Sequence, residues 1–146
     1  MQYFADTPAG AWAELLRHEE ITDPADLAGI STRLWAVRIG EVEMHEPKLP
    51  LSALTSAPDE YEVCRTEARR LRAAGAVRLV TVSAALQAGE AAGFQVGTAG
   101  LIRAAARDGK VVVHFGALPD AEGWCAADAA RPDADLLGCI RPLRVV

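Results

Sequence analysis

An amphipathic segment that leads directly into an apolar strand, over residues 59–83, constrains the fold of this chain most strongly. Apolar side chains recur at helical spacing from Tyr61 to Leu71, arginines occupy the opposite face, and Gly75 ends the pattern. The residues AVRLVTVS that follow are mostly apolar or β-branched and predict a short strand ending at Ser83. A helix over residues 59–74 beside such a strand predicts an α/β domain in which helices pack on a central sheet.

Weaker patterns predict the other elements. Alternating or β-branched stretches predict further strands over residues 2–5, 32–40, 109–116 and 123–128. Pro132 predicts the start of a short helix over residues 131–137. Residues 44–58 hold three prolines and residues 87–100 hold four glycines, so both stretches are predicted to be connections without strands.

Composition excludes several classes of function. The chain has 146 residues, of which 51% are hydrophobic, and a formal net charge of −5, so it can bury a core but offers no basic footprint for nucleic acid. No apolar run approaches the ~18 residues of a membrane span, and residues 1–20 lack the pattern of a signal peptide. The three cysteines lack CxxC spacing and the three histidines lack HExxH spacing. We therefore expect a single cytoplasmic domain over residues 1–146 without a metal.

Glu14 lies in the middle of a helix predicted over residues 8–19, which Thr7 caps and Pro8 begins. A helical wheel places an apolar stripe at Trp12, Leu15 and Leu16, and a polar side at Gly10, Glu14, Arg17 and His18. Two interpretations of the carboxylate remain open. Glu14 is either a solvated surface group paired with His18 at i,i+4 spacing, or a group that faces a cleft.

Ser83 stands at the C-terminal end of the strand that follows the long helix. The surrounding residues TVSAA lack the glycines of a GxSxG nucleophile elbow, so they do not indicate a serine hydrolase. A hydroxyl at a strand end commonly bonds to the neighbouring backbone. Taken alone, Ser83 is therefore interpreted as a structural residue.

Taken together, these segments resemble the RES domain family. The resemblance rests on QYFAD before the first helix, TPAGAWAELLRH with its central Glu, ARRLRAAGAVRLVTVSAA ending in Ser, and VVVHFG followed by GW and RP. The family is named for an Arg, a Glu and a Ser. Glu14 resembles its Glu, Ser83 resembles its Ser, and Tyr3 stands where the family has a tyrosine. The family's arginine lies upstream of that tyrosine, so the resemblance implies that this sequence lacks the arginine and the N-terminal strands.

The resemblance implies an ADP-ribosyltransferase-like fold of the α+β type, with a mixed sheet and flanking helices, and NAD as the substrate. Glu14 and Ser83 are then expected to be catalytic, and Tyr3 to bind the cofactor by stacking on its pyridinium ring. The implied activity is that of an NAD glycohydrolase, phosphorylase or ADP-ribosyltransferase, with water, phosphate or protein as acceptor. Members of the family often serve as toxins, so an Xre-type antitoxin is the expected protein partner.

Two alternatives stay open beside this enzyme. One is a degenerate RES module that binds NAD or a partner protein without turnover. The other is an α/β interaction domain in which Glu14 and Ser83 are merely structural. The enzyme interpretation predicts that Glu14, Ser83 and Tyr3 converge on one concave site, because all three would surround the same ribose.

Overall fold

The computed structural model describes residues 1–143 and confirms an α+β fold with helices and a mixed sheet. The helices are α1 (Pro8–His18), α2 (Pro24–Leu27), α3 (Leu51–Leu54) and α4 (Glu62–Ala73), with 3₁₀ turns at Pro58–Glu60 and Ala134–Cys139. The strands are β1 (Gln2–Ala5), β2 (Thr32–Arg38), β3 (Met44–His45), β4 (Arg78–Val82), β5 (Phe94–Gly97), β6 (Gly100–Arg103), β7 (Lys110–His114) and β8 (Glu122–Ala130).

The main sheet has four strands in the order β1-β7-β4-β3. Strand β7 pairs antiparallel with both β1 and β4, whereas β3 pairs parallel with β4. Two further ribbons, β2-β8 and β5-β6, stand outside this sheet. Strand β4 is therefore an inner strand, and its C-terminal end delivers Ser83 beside the start of β7.

Helix α4 packs on the main sheet as its periodicity predicts. Leu71 is buried against Leu79 of β4 and Val113 of β7, and Ala68 packs at the edge of the same cluster. Gly75 ends the helix with a φ of 97°, a left-handed conformation that glycine adopts without strain. The helix begins at Glu62 rather than at residue 59, because Pro58–Glu60 forms a separate 3₁₀ turn.

Helix α1 packs on a second core cluster, formed by Ala13, Ala85, Leu86 and Ala91. Its N-terminus is as predicted, since the Thr7 hydroxyl accepts the N–H of Gly10 at 3.0 Å.

The polar side assigned to α1 by the helical wheel is partly wrong. Gly10 and Arg17 are both buried, and Arg17 is only 5% exposed. The reason is that neighbouring segments contact α1 on more than one side. Gly10 faces Leu86, whereas Arg17 reaches the segment around Ser56.

The predicted connections contain regular structure, so those two predictions are wrong in part. Residues 44–58 include β3 and α3, and residues 87–100 include β5 and the start of β6. Two of the four glycines that indicated a loop form the hairpin turn instead, with Gly97 paired to Gly100 and a φ of 105° at Gly100. The short helix expected from Pro132 is a 3₁₀ turn, capped by the side chain of Asp133.

We predict that Leu86→Ala lowers the free energy of unfolding by about 2–5 kcal/mol, because Leu86 is 1% exposed and lies against Gly10 of α1 and Gly109, the residue before β7. Val96→Ala, at an 87% exposed position in β5, is the matched control and should change it by no more than about 0.5 kcal/mol. Chemical denaturation of the two variants measures the difference. Equal effects would contradict the assignment of Leu86 to the core.

Candidate functional site

Glu14 and Ser83 meet where α1 crosses the C-terminal end of β4. The Ser83 hydroxyl donates a hydrogen bond to Oε1 of Glu14 at 2.8 Å. Ser83 is 1% exposed, whereas Glu14 is only partly buried. Two residues that the sequence singled out separately therefore form one unit in the structure.

The direction of this hydrogen bond follows from the other contacts of Ser83. Its oxygen accepts the backbone N–H groups of Ala85 and Leu86, each at 3.2 Å. A serine hydroxyl has one proton and two lone pairs, so its proton remains for the carboxylate. The turn after β4 thus orients the hydroxyl, and the hydroxyl in turn orients Glu14.

Two glycines allow α1 and β7 to approach this turn closely. A β-carbon at Gly10 would lie 3.3 Å from that of Ala5 and 3.2 Å from the Thr7 hydroxyl. A β-carbon at Gly109 would lie 3.0 Å from a methyl of Leu86 and 3.4 Å from the β-carbon of Ser83. Gly109 also accepts the N–H of Ser83 at 2.8 Å. Side chains at either glycine would press on the atoms that hold the pair.

The second carboxylate oxygen of Glu14, Oε2, receives no hydrogen bond from residues 1–143. The pairing with His18, which one of the two interpretations included, is not observed in the described chain, because His18 is exposed and the carboxylate bonds to Ser83 instead. A carboxylate oxygen that is held in place but unused can accept a hydrogen bond from a ligand or stabilise a positive charge.

Tyr3 lies apart from this pair. Its ring is 64% exposed, and its hydroxyl contacts the sulfur of Met1 at 3.3 Å. Tyr3 of β1 and Leu79 of β4 both pair with Val113 of the strand between them. Leu79 precedes Ser83 by four residues. That offset corresponds to about 13 Å along a strand. The structure therefore brings two of the three predicted site residues together, and the cofactor-binding role of Tyr3 stays a prediction.

Arg17 is a buried cation that the sequence interpretation missed. It lies one helical turn after Glu14 and donates to the Tyr61 hydroxyl at 3.1 Å and to the Ser56 carbonyl at 3.0 Å. Its i,i+3 spacing from Glu14 was the available signal, since residues at that spacing share a helix face. In the structure the two side chains have different partners, since Arg17 bonds to the segment around Ser56 and Glu14 bonds to Ser83.

Two grooves border the pair, although neither Glu14 nor Ser83 lines them. The first, of about 380 Å³, includes Val82 and Gly109, which are a chain neighbour and a hydrogen-bond partner of Ser83. The second, of about 600 Å³, includes Leu16 and Arg17 of α1. The carboxylate therefore stands beside concave surfaces rather than on the floor of one.

Other kinds of site have less support in the described part of the chain. Burial raises the pKa of the Cys64 and Cys139 thiols above their ordinary value, so both are poor nucleophiles near neutral pH. Residues 1–143 hold no group of three or more His, Cys, Asp or Glu side chains placed to bind a metal ion. Within the same residues, no helix is both long and apolar enough to cross a membrane.

Comparison with known families supplies the remaining observation. The family model of the RES domain matches residues 1–132, a span that includes Tyr3, Glu14 and Ser83. No match to a curated protein or to a solved structure was found. The matched span covers most of the 146 residues and confirms the resemblance drawn from the sequence. This chain belongs to the RES domain family.

Proposed function

We propose that this protein is an NAD-consuming enzyme in which Glu14 carries the chemistry and Ser83 positions it. The observation that supports this most directly is the hydrogen bond from Ser83 to one Glu14 oxygen, with the other oxygen unused. Membership of the RES domain family supports NAD as the ligand, since these domains are associated with NAD-related toxins.

The chemistry of NAD cleavage needs a carboxylate of this kind. When the bond between nicotinamide and ribose breaks, its electron pair leaves with the nicotinamide, which departs as a neutral ring. The ribose carbon acquires the positive charge of an oxocarbenium ion. A fixed carboxylate oxygen next to the sugar stabilises that charge, much as in glycosidases. The free oxygen of Glu14 would have this role, and no acid is needed to protonate the leaving group.

Ser83 contributes by positioning. It is too buried to touch a substrate, and its proton and both lone pairs are already used within the protein. Holding Oε1 leaves Glu14 fewer side-chain conformations and directs Oε2 away from the turn. A catalytic group that is fixed before the substrate binds loses less conformational freedom in the transition state.

The wider role that we propose is that of a toxin. Consumption of NAD in the cytoplasm would stop growth, and an Xre-type antitoxin protein would neutralise the activity. The acceptor of the ADP-ribose group can be identified from the product. Free ADP-ribose indicates water, a phosphorylated ADP-ribose indicates phosphate, and a labelled polypeptide indicates a protein acceptor.

We predict that Glu14→Gln abolishes nicotinamide release from NAD, because it keeps the shape of the side chain but removes its charge. The free energy of unfolding should change by no more than about 1 kcal/mol, since the Gln oxygen can still accept the Ser83 proton. Glu19→Gln, at an exposed position at the end of the same helix, is the control and should retain full activity. Chromatography of the reaction products measures nicotinamide release by the unmodified protein and by the two variants.

Equal nicotinamide release by the Glu14→Gln and Glu19→Gln variants would contradict the catalytic role of Glu14. Saturable NAD binding without any nicotinamide release by the unmodified protein would instead favour the non-catalytic RES module. Calorimetry of NAD binding, run on the same samples, distinguishes these two outcomes.

A second prediction concerns Ser83→Ala. Loss of the hydroxyl leaves two buried N–H groups without an acceptor and should lower the free energy of unfolding by about 1–3 kcal/mol. If Ser83 positions Glu14, kcat should fall in the folded protein while KM stays nearly constant. A variant that is less stable but keeps the original kcat at low temperature would show that Ser83 has only a structural role.

A further inference from the structure

The larger of the two grooves lies between the C-terminal end of α1 and the segment after the 3₁₀ turn Ala134–Cys139. Its volume is about 600 Å³. Arg17 and Glu20 line it from the α1 side, and Ile140 and Arg141 line it from the other side. We call this surface the arginine groove. It adjoins the Glu14–Ser83 pair, because the backbone N–H of Arg141 donates to Ala85 in the turn after β4.

Arg141 has a guanidinium group without a partner in the described chain. Its Nε atom is buried and makes no hydrogen bond. No carboxylate of residues 1–143 lies within 4.0 Å of its nitrogens. A buried guanidinium nitrogen without an acceptor is unfavourable, so a missing acceptor is expected beside it.

Arg17 also lacks a carboxylate partner in the described chain, and it is buried more deeply than Arg141. It is 5% exposed, and its terminal nitrogens bond to neutral oxygens of Thr55, Ser56 and Tyr61. Its Nε atom is also buried without a partner, and no described carboxylate pairs with it. Neutral acceptors satisfy some of its protons but leave its charge uncompensated.

Glu20 is the acidic side chain of the arginine groove, yet it forms no ion pair within residues 1–143. It has a φ of 55°, a left-handed conformation that glycine usually supplies directly after a helix. The backbone bonds from Glu20 to Arg17 and from Ile21 to Leu16 close the end of α1 in this way. Within residues 1–143, no carboxylate oxygen of Glu20 lies within 4.0 Å of a nitrogen of Arg17 or Arg141, so Glu20 forms an ion pair with neither.

We propose that the arginine groove binds a phosphate-type oxyanion, held by Arg141 with Arg17 behind it. Phosphate oxygens accept paired N–H bonds from guanidinium groups and bring negative charge to two arginines that have no carboxylate partner in the described chain. The same chemistry is offered by inorganic pyrophosphate and by the phosphates of a dinucleotide. If the ligand is a dinucleotide such as NAD, the inference also rests on the proposed function.

Isothermal titration of inorganic pyrophosphate into the full chain at low salt tests the proposal. We expect saturable binding that Arg141→Gln weakens by at least about tenfold, the loss typical of one charge-assisted contact. Arg65→Gln is the matched control, because it removes the same charge from an exposed position on α4. The affinity of this variant for pyrophosphate should stay within about twofold of that of the unmodified protein. Absence of saturable binding, or equal affinities for the two variants, would overturn the proposal.

Glu20→Gln gives an independent readout in the opposite direction. Removing the negative charge of the arginine groove should tighten pyrophosphate binding, and no change or a loss of affinity would count against the site. This test measures pyrophosphate binding and not NAD cleavage, so failure of the NAD proposal does not affect it. Competition between NAD and pyrophosphate would identify the dinucleotide phosphates as the source, and independent binding would identify a separate phosphate compound.

Discussion

The close approach of helix α1 to the turn after β4 is the contact on which the rest of the site depends. It combines apolar packing at Leu86 with the hydrogen bond between Ser83 and Glu14. Gly10 and Gly109 make the approach possible, because each stands where a β-carbon would contact its neighbours at 3.0–3.3 Å. The same contact therefore forms a core and positions a carboxylate, so changes in packing here would also move the candidate catalytic group.

Sequence alone predicted the elements whose pattern is set by neighbours along the chain. Helix α4 has a long apolar stripe and ends at a glycine, and strand β4 follows it as an apolar run. The family resemblance added the pairing of Glu14 with Ser83, which no local pattern encodes. The hairpin Phe94–Arg103 was missed because its apolar side chains are exposed and its glycines are also typical of loops.

The position of Tyr3 and the burial of Arg17 depend on tertiary contacts that a helical wheel or a strand pattern cannot contain. Register against Val113 places Tyr3 toward the other end of β4 from Ser83. Arg17 is buried because the chain around Ser56, far away in sequence, supplies acceptors for its guanidinium group. A wheel assigns sides from hydrophobicity alone, so it places a buried arginine in solvent.

Buried arginines are not by themselves evidence of a ligand site in this protein. Arg78 is 2% exposed and also has an unpartnered Nε atom, yet it lies on an inner strand, donates to the Gly40 carbonyl and lines neither groove. Arg141 differs because it borders open space that a ligand can enter. The position relative to a groove, rather than burial alone, therefore separates an arginine with a structural role from one that can bind an anion.

Similar reasoning applies to the hydrogen bonds of Glu14. A carboxylate can accept about four hydrogen bonds, and a buried structural carboxylate normally has several of them satisfied by the protein. Glu14 receives one from the described chain, at Oε1, whereas its Oε2 accepts none. Glu14 is only partly buried, and its Oε2 is not among the buried atoms that lack a partner, so a ligand can reach this oxygen from solvent. The structural role of Ser83 is thus compatible with a functional role for Glu14, because the residue that completes the turn is also the one that fixes the carboxylate.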